Sequence, residues 1–304
     1  MRRAQAGALL AAALALATPR PAAAFVRYVT EDNAPFFWAE TTVAITGYPH
    51  DFNQSSMTPD QVAGAVAGAA AAWSRGQTPC TYLQLDTAMS DAPTPLAVND
   101  ARNSLIFHGK DWCHVDAKGD CDMVYDQTAL AVTTDTANKA TGQILDADVE
   151  VDLVWFHWAD VVEDPNLNAD MDLQNALTHE FGHLIGLDHT CYDALTSTSN
   201  GRPDDNTGAP VVDCSSADAE VEATTMYPSA EAGDIQKRTL APDDQNAVCT
   251  IYSANSPPPA LDAGCLQCAT AGGPSKDVES LGALAALAAI GLGFRRRRTA
   301  APRS

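Results

Sequence analysis

The feature of the sequence that most constrains its fold is a run of eleven residues with three histidines, HEFGHLIGLDH, from His179 to His189. His179 and His183 are one helical turn apart, so they project from the same face of a helix. Gly186 follows three residues after His183, where a residue with positive φ can end the helix and turn the chain back. This turn would bring His189 to the other two histidines. The run therefore predicts a helix, a glycine turn and three converging imidazoles.

The same run carries the groups that hydrolysis needs. Three imidazole nitrogens are a zinc ligand set that leaves the fourth tetrahedral position open to water. Glu180 lies between the first two histidines, so its carboxylate is expected to take a proton from that water and later pass it to a leaving amine. A single histidine would more often be an ordinary core or surface residue, but three at this spacing with Gly186 are rare by chance. We expect zinc-dependent hydrolysis of an amide bond, with His179, His183 and His189 as ligands and Glu180 as base and acid.

A second feature, Thr224-Thr225-Met226-Tyr227-Pro228, follows about 37 residues after the third histidine. Together the two features resemble the metzincin zinc metallopeptidases. Within that clan, Met226-Tyr227-Pro228 and residues 240–252 are most similar to the matrixins, the matrix-metalloproteinase-like branch. The resemblance implies an endopeptidase that cleaves internal bonds of extended proteins. It also implies that Met226 lies beneath the metal and that Pro228 helps to shape the pocket for the residue after the cleaved bond.

A weaker resemblance extends over residues 38 to 252 and implies two further sites. An edge strand would pair with the extended substrate through Ala129, Leu130, Ala131, Val132 and Thr133. An acidic cluster would bind a structural calcium ion through Asp146, Asp148 and Glu150. The sequence departs from the matrixin pattern at Thr190, where Ser is common, and it lacks an HGD-type stretch for a second zinc. His108 and His114 are isolated in the sequence, and we expect them to be ordinary residues.

The acidic residues also form a pattern of their own. Between Ile144 and Val154, four of them alternate with apolar residues: Asp146, Asp148, Glu150 and Asp152. On a strand, this alternation places the carboxylates on one face and an apolar row on the other. Carboxylates so close repel one another unless solvent screens them or a cation binds. A solvated outer face and a calcium site are both open interpretations.

The resemblance also implies one α/β (α+β) domain with a twisted, mainly parallel sheet and one antiparallel edge strand. The strands are expected at residues 42–46, 81–85, 104–107, 129–133 and 144–154. A capping box of Thr58 and Gln61 predicts a packing helix that ends near Ser74. The active-site helix is expected from Asp170 or Met171 to Gly186, and a C-terminal helix from Pro242 to Tyr252.

Eight cysteines behind a secretion signal indicate disulfides and a secreted, extracellular or outer-surface protein. Six of them lie in the body of the chain, and six allow 15 pairings. Loop length favours Cys113 with Cys121 and Cys191 with Cys214, which leaves Cys80 with Cys249. A thiolate zinc site is the alternative, but none of the six shows a CxxC spacing.

The two ends differ from the body. The first residues combine two arginines, an apolar stretch and Ala22-Ala23-Ala24, which is typical of a secretory signal peptide. Near the other end, an apolar run too short for an ordinary bilayer span precedes four arginines. The order of Cys265, Cys268, spacer, apolar run and arginines resembles the C-terminal sorting tails of myxobacterial surface proteins; a plain anchor is the alternative. The expected divisions are a signal peptide (1–24), a catalytic domain (25–255), a linker (256–280) and a sorting or anchoring tail (281–304).

The charge of the body limits its partners. Between Phe25 and Gly264 there are 9 basic and 37 acidic residues, a net charge of about −28. Such a domain repels phosphate backbones and anionic headgroups, so we expect no nucleic-acid binding and membrane contact only through the tail. We expect a monomer that acts on an extended protein or peptide substrate. The rival interpretation is a non-catalytic surface binding protein that keeps a structural zinc site, and the presence of Glu180 argues against it.

Overall fold

A computed structural model describes residues 25–53, 56–96, 99–116, 118–194 and 202–256, together with the backbone of residues 286–292. The expected signal peptide and nearly all of the expected linker lie outside these residues. The helices are α1 (Pro59–Trp73), α2 (Leu173–Leu184), α3 (Ala219–Glu222) and α4 (Pro242–Ile251). The strands are β1 (Val26–Arg27), β2 (Thr42–Tyr48), β3 (Gln84–Met89), β4 (Asn103–His108), β5 (Cys113–Val115), β6 (Cys121–Val124), β7 (Ala129–Ala137), β8 (Ile144–Asp152), β9 (Trp158–Ala159), β10 (Met171–Asp172), β11 (Leu187–Asp188), β12 (Ser229–Ala230) and β13 (Ala286–Leu292).

Five strands form a central mixed sheet in the order β7-β8-β4-β2-β3. Strands β8, β4, β2 and β3 are parallel to one another, while β7 is antiparallel to β8. This confirms the predicted class, a mainly parallel sheet with one antiparallel strand at its side. Among these five strands β7 is the edge strand, and its role in binding substrate stays a prediction. Strand β13 pairs antiparallel with β7, and β12 pairs in parallel with β13.

Helix α1 forms at the predicted capping box. The side chain of Gln61 accepts a hydrogen bond from the backbone of Thr58, whose hydroxyl accepts one from the backbone of Gln61. Small residues let α1 approach α2 closely, since a Cβ added at Gly68 would lie 2.7 Å from the Gln174 side chain. At the end of α1, the buried Trp73 donates from Nε1 to the carbonyl of Thr178 at 2.7 Å. Helix α1 therefore supports the helix that carries two of the histidines.

Helix α2 begins later than predicted. Met171 and Asp172 form the short strand β10, and Asp172 rather than Asp170 caps the helix by accepting from the backbone N–H of Asn175 at 2.9 Å. The guanidinium of Arg238 donates to both carboxylate oxygens of Asp172, at 2.8 and 2.6 Å. Because Arg238 is 66 residues away, the local pattern alone could not choose between the two aspartates.

The strand predicted at residues 81–85 also begins later, at Gln84. Thr81 lies before the strand, where it bridges Ser253 and donates from its hydroxyl to the carbonyl of Tyr252 at 2.8 Å. The C-terminal helix begins at Pro242 as predicted and ends at Ile251. These contacts join the corner of the sheet to the end of the last helix.

All three disulfides match the predicted pairing: Cys80–Cys249, Cys113–Cys121 and Cys191–Cys214. The first links the segment before β3 to α4, and the second closes the hairpin of β5 and β6. Disulfides are typical of proteins that fold and work in an oxidising environment. Among the described residues, no helix is both long and apolar enough to cross a bilayer.

Candidate metal centre

The three predicted histidines converge on one point in the interior. Their Nε2 atoms are 3.0 Å apart for His179 and His183, 3.2 Å for His183 and His189, and 3.3 Å for His179 and His189. All three side chains are buried. In the part of the chain that the structure describes, no other group of three His, Cys, Asp or Glu residues brings its ligand atoms within 4.8 Å of one another. We call His179, His183 and His189 the histidine centre.

The outer nitrogens of two of the rings are held by backbone carbonyls. The Nδ1 atom of His179 lies 2.7 Å from the carbonyl oxygen of Thr225, and that of His183 lies 2.8 Å from that of Leu187. A carbonyl can only accept, so Nδ1 carries the proton and Nε2 presents a lone pair inward.

Burial keeps these rings neutral. It lowers the pKa of His183 to about 3 and those of His179 and His189 well below the ordinary value, with further lowering from Lys237 and the neighbouring rings. Three neutral lone pairs that face one another fit a divalent cation. Zn–N bonds of about 2.0–2.1 Å in a tetrahedron place ligand nitrogens about 3.3 Å apart, close to the spacing found here.

Gly186 makes this convergence possible. Its φ is +92°, and a Cβ there would lie 2.8 Å from the carbonyl oxygen of Phe36, so only glycine fits the turn. Its N–H donates to the carbonyl of His183 at 2.7 Å, and β11 then pairs with β1. The chain therefore turns away from α2 at Gly186 and delivers His189, as predicted.

Glu180 lies beside the histidine centre, on the side facing β7. It is fully buried, and the hydroxyl of Thr133 donates to its carboxylate at 2.6 Å. The sequence placed Thr133 only in a strand expected to bind substrate. Alternation along β7 fixes which residues share a face, but it does not say which face meets α2, so this contact was not predicted.

Met226 lies against helix α2, and its place beneath a bound metal stays a prediction. A Cβ added at Gly182 would lie 2.2 Å from its sulfur, so glycine at this position of α2 allows the close approach. The turn is fixed by Asp244, whose carboxylate accepts from the backbone N–H groups of Thr225 and Met226 at 2.7 and 3.3 Å. Pro228 is buried just beyond the turn, and its role in a substrate pocket stays a prediction.

A buried lysine is the second functional candidate that the sequence did not reveal. Lys237 is 1% exposed, its Nζ donates to the carbonyl of Tyr227, and the same atom lies 3.5 Å from Nδ1 of His179. Burial lowers its pKa to about 7, against the opposing effect of Asp244 and Glu180. Next to Arg238 in a polar stretch, Lys237 resembles a surface residue, and no local signal distinguishes it.

No protein-family model matches this chain, and no curated protein matches it. The convergence of the histidines and the contact between Glu180 and Thr133 are therefore the main evidence on the site.

The candidate calcium residues have partners in their own chain. One oxygen of Asp146 accepts from the N–H of Arg102 and one of Asp148 from that of Ser104, each at 2.8 Å. Both acids are at most 3% exposed, and so is Glu150, so the solvated-face interpretation is wrong. Burial raises the pKa of Asp146 to about 6 and, with repulsion from Asp146, that of Asp148 to about 8. Calcium binding stays a prediction.

Glu150 is surrounded by donors, including the two histidines expected to be ordinary. One carboxylate oxygen lies 2.7 Å from Nε2 of His108; the other accepts from the hydroxyl of Tyr125 at 2.6 Å and lies 3.4 Å from Nδ1 of His114. Burial acts to raise the pKa of Glu150, but these hydrogen bonds outweigh it and lower that pKa. The sequence treated His108 and His114 as ordinary residues and did not show that both contact one buried carboxylate, because His108 lies on β4 and His114 on β5. We call His108, His114, Tyr125 and Glu150 the outer-face cluster.

Proposed function

We propose that this protein is a secreted or surface-displayed zinc endopeptidase of the metzincin type, similar to matrixins, that hydrolyses internal peptide bonds of extended protein substrates. The observation that carries the proposal is the convergence of three buried Nε2 atoms within 3.3 Å of one another. The three disulfides are in keeping with export to an oxidising environment.

The fit of this site to zinc rests on its donor set. His179, His183 and His189 would hold the ion, and the carbonyls of Thr225 and Leu187 would keep two of the rings oriented. A zinc ion bound there would lower the pKa of a water ligand and polarise the scissile carbonyl.

Glu180 supplies the proton transfers in this proposal. Its carboxylate takes a proton from the attacking water and passes it to the nitrogen of the leaving amine. The hydroxyl of Thr133, 2.6 Å from the carboxylate, orients it for both steps. Because the carboxylate of Glu180 is buried and hydrogen-bonded, its position is fixed before the substrate arrives.

Strand β7 gives the substrate a place to bind. In the structure, β13 pairs with the side of β7 that faces away from β8; with that side free, an extended peptide could pair with it as an added strand. Ala131, Val132 and Thr133 on β7 pair on their other side with residues of β8. Main-chain pairing of this kind orients an internal peptide bond without requiring a free end.

The test is the substitution Glu180→Gln, with Glu163→Gln at an exposed position as the matched control. We expect both purified proteins to bind close to one zinc per chain, measured by atomic emission. We expect only Glu180→Gln to lose cleavage of casein and of a quenched-fluorescence peptide, by at least about a hundredfold, since general base catalysis of this kind is worth that much. Full activity in Glu180→Gln would remove Glu180 from the mechanism. A wild-type protein that binds zinc but cleaves nothing would favour a binding protein with a structural metal.

A further inference from the structure

The side of β7 that the proposal assigns to substrate is already paired with another part of the chain. Strand β13 runs antiparallel to β7, with Ala286 opposite Asp135, Ala288 opposite Thr133 and Ile290 opposite Ala131. At its far end, β13 runs parallel to β12, with Gly291 opposite Ser229. Residues 286–292 of the tail therefore lie as an extended strand between β7 and β12.

This position coincides with the site. Thr133, the backbone partner of Ala288, is the residue whose hydroxyl binds Glu180. Strand β12 begins three residues after Met226, in the segment that follows the turn beneath the histidine centre. The Cα atoms of β13 also come within 8 Å of those of α2. A strand placed here covers the approach to Glu180.

The sequence of the tail suits this placement. Residues 286–292 read Ala-Leu-Ala-Ala-Ile-Gly-Leu and contain no charge or proline that would hinder β-pairing. The sequence that follows contains four arginines, Arg295 to Arg298, whose positive charge is opposite in sign to the net charge of the strongly acidic body. The 29 residues between Ser256 and Ala286 act as a tether, and a tethered segment has a local concentration on the order of millimolar, so weak pairing is enough to dock it.

We propose that residues 286–292 dock in the peptide cleft of their own chain and exclude substrate from β7. This proposal rests on the proposed function, because it assigns the same backbone groups to the tail and to the substrate. One side of a strand pairs with one neighbour at a time, so the two compete directly. Any event that removes the tail, such as cleavage between residues 256 and 286 during export, opens the cleft.

The experiment uses the full-length chain with two matched pairs of prolines. Ala288→Pro with Ala289→Pro disrupts β13: successive N–H groups of a strand point to opposite sides, so one of the two lost donors faces β7. Ala300→Pro with Ala301→Pro makes the same chemical change elsewhere in the tail. The first readout is amide hydrogen exchange of residues 129–137, which does not depend on catalysis. We expect at least about tenfold faster exchange in the strand variant only.

The second readout is binding of a fluorescent peptide with the sequence of residues 284–294, followed by anisotropy. We expect the peptide to bind the strand variant, whose cleft is open, and not the control variant. The third readout is kcat/KM for a quenched-fluorescence peptide. If the tail is docked in about 90% of molecules, its release raises kcat/KM about tenfold, mostly through a lower apparent KM.

The outcomes separate the two proposals. Equal exchange of residues 129–137 in both variants overturns the docking, whatever the activity. Faster exchange without peptide binding, or with unchanged kcat/KM in an active enzyme, overturns the competition. Faster exchange and peptide binding in a protein that hydrolyses no peptide support the docked tail and overturn the proposed endopeptidase.

Discussion

Two groups of histidines lie on opposite faces of strands β7 and β8, and their surroundings differ in kind. Along β7, Thr133 contacts Glu180 beside the histidine centre, while the next side chain back, Val132, packs with Trp112 and Tyr125 near the outer-face cluster. In the histidine centre, three lone pairs meet, and none of the three nitrogens can donate to another once Nδ1 carries the proton. In the outer-face cluster, imidazole, hydroxyl and carboxylate groups bind one another.

The two groups differ in burial and in what the imidazoles face. His108 and His114 keep 13% and 21% of their side chains exposed, whereas the three rings of the histidine centre are buried. His108 and His114 contact the buried carboxylate of Glu150, and these three residues offer no common ligand position. The Nε2 atoms of the histidine centre face one another, so this group could hold a metal ion. In the outer-face cluster, the imidazoles already have the Glu150 carboxylate as a partner.

The largest effect should come from matched histidine substitutions. We expect His183→Gln to weaken zinc binding on the order of a thousandfold, because one of three protein ligands is lost. We expect His108→Gln to leave the zinc content near one ion per chain. Atomic emission after dialysis against a weak chelator measures both. A loss of zinc in His108→Gln would break the distinction between the two groups.

A second, smaller effect concerns Glu150. Its replacement by Ala removes the anion that His108, His114 and Tyr125 contact, and breaking such a buried cluster costs about 3 kcal/mol in the free energy of unfolding. Urea denaturation of the zinc-loaded protein measures this cost, with exposed Glu163→Ala as the control. We expect the zinc content to stay unchanged. A stability equal to that of the control would mean that the outer-face cluster contributes nothing to the fold.

The histidine centre was predictable because its geometry is local. Helical spacing and a glycine turn fix where His179, His183 and His189 go relative to one another, and the interval of ten residues leaves little freedom. The disulfide pairing was predictable for a similar reason, since short loops limit the choice for Cys113 and Cys191. The sheet class was expected from the family resemblance, and alternation of acidic and apolar residues marked β8 as a strand.

What the sequence did not reveal depends on contacts between distant segments. The cap at Asp172 depends on Arg238, and the burial of Lys237 depends on where its 3₁₀ turn packs against α2. The partners of Glu150 come from β4 and the β5–β6 hairpin, whose path over the sheet no local pattern fixes. The pairing of β13 with β7 joins the tail to the middle of the chain. In each case, a residue acquires its role from a neighbour that the sequence does not place beside it.

The smallest effect concerns Asp148, and it tests whether the buried acidic face binds calcium. Its folded-state pKa is about 8, against an ordinary value of 3.8, so the folded protein retains a proton that the unfolded chain has lost. Stability that is present below about pH 4 is therefore lost as the pH rises toward 8. Asp148→Asn cannot ionise, and its Oδ1 can still accept from the N–H of Ser104. In the presence of a chelator, we expect it to be more stable than the wild type by on the order of 1 kcal/mol at pH 8 and by much less at pH 5.

Calcium reverses the sign of this difference if the acidic face binds it. A bound cation favours the ionised carboxylates of Asp146, Asp148 and Glu150. Millimolar calcium would therefore raise the melting temperature of the wild type at pH 8 above that of Asp148→Asn. Differential scanning calorimetry at pH 5 and pH 8, with calcium or with chelator, measures all four conditions, and exposed Asp86→Asn serves as the control. A gain for Asp148→Asn that is independent of pH would contradict the ionisation argument. A higher melting temperature of the wild type in calcium, with no such rise for Asp148→Asn, would make the acidic face a second metal site. The histidine centre and the acidic face would then differ in their ligand atoms, which are nitrogen in the first and oxygen in the second.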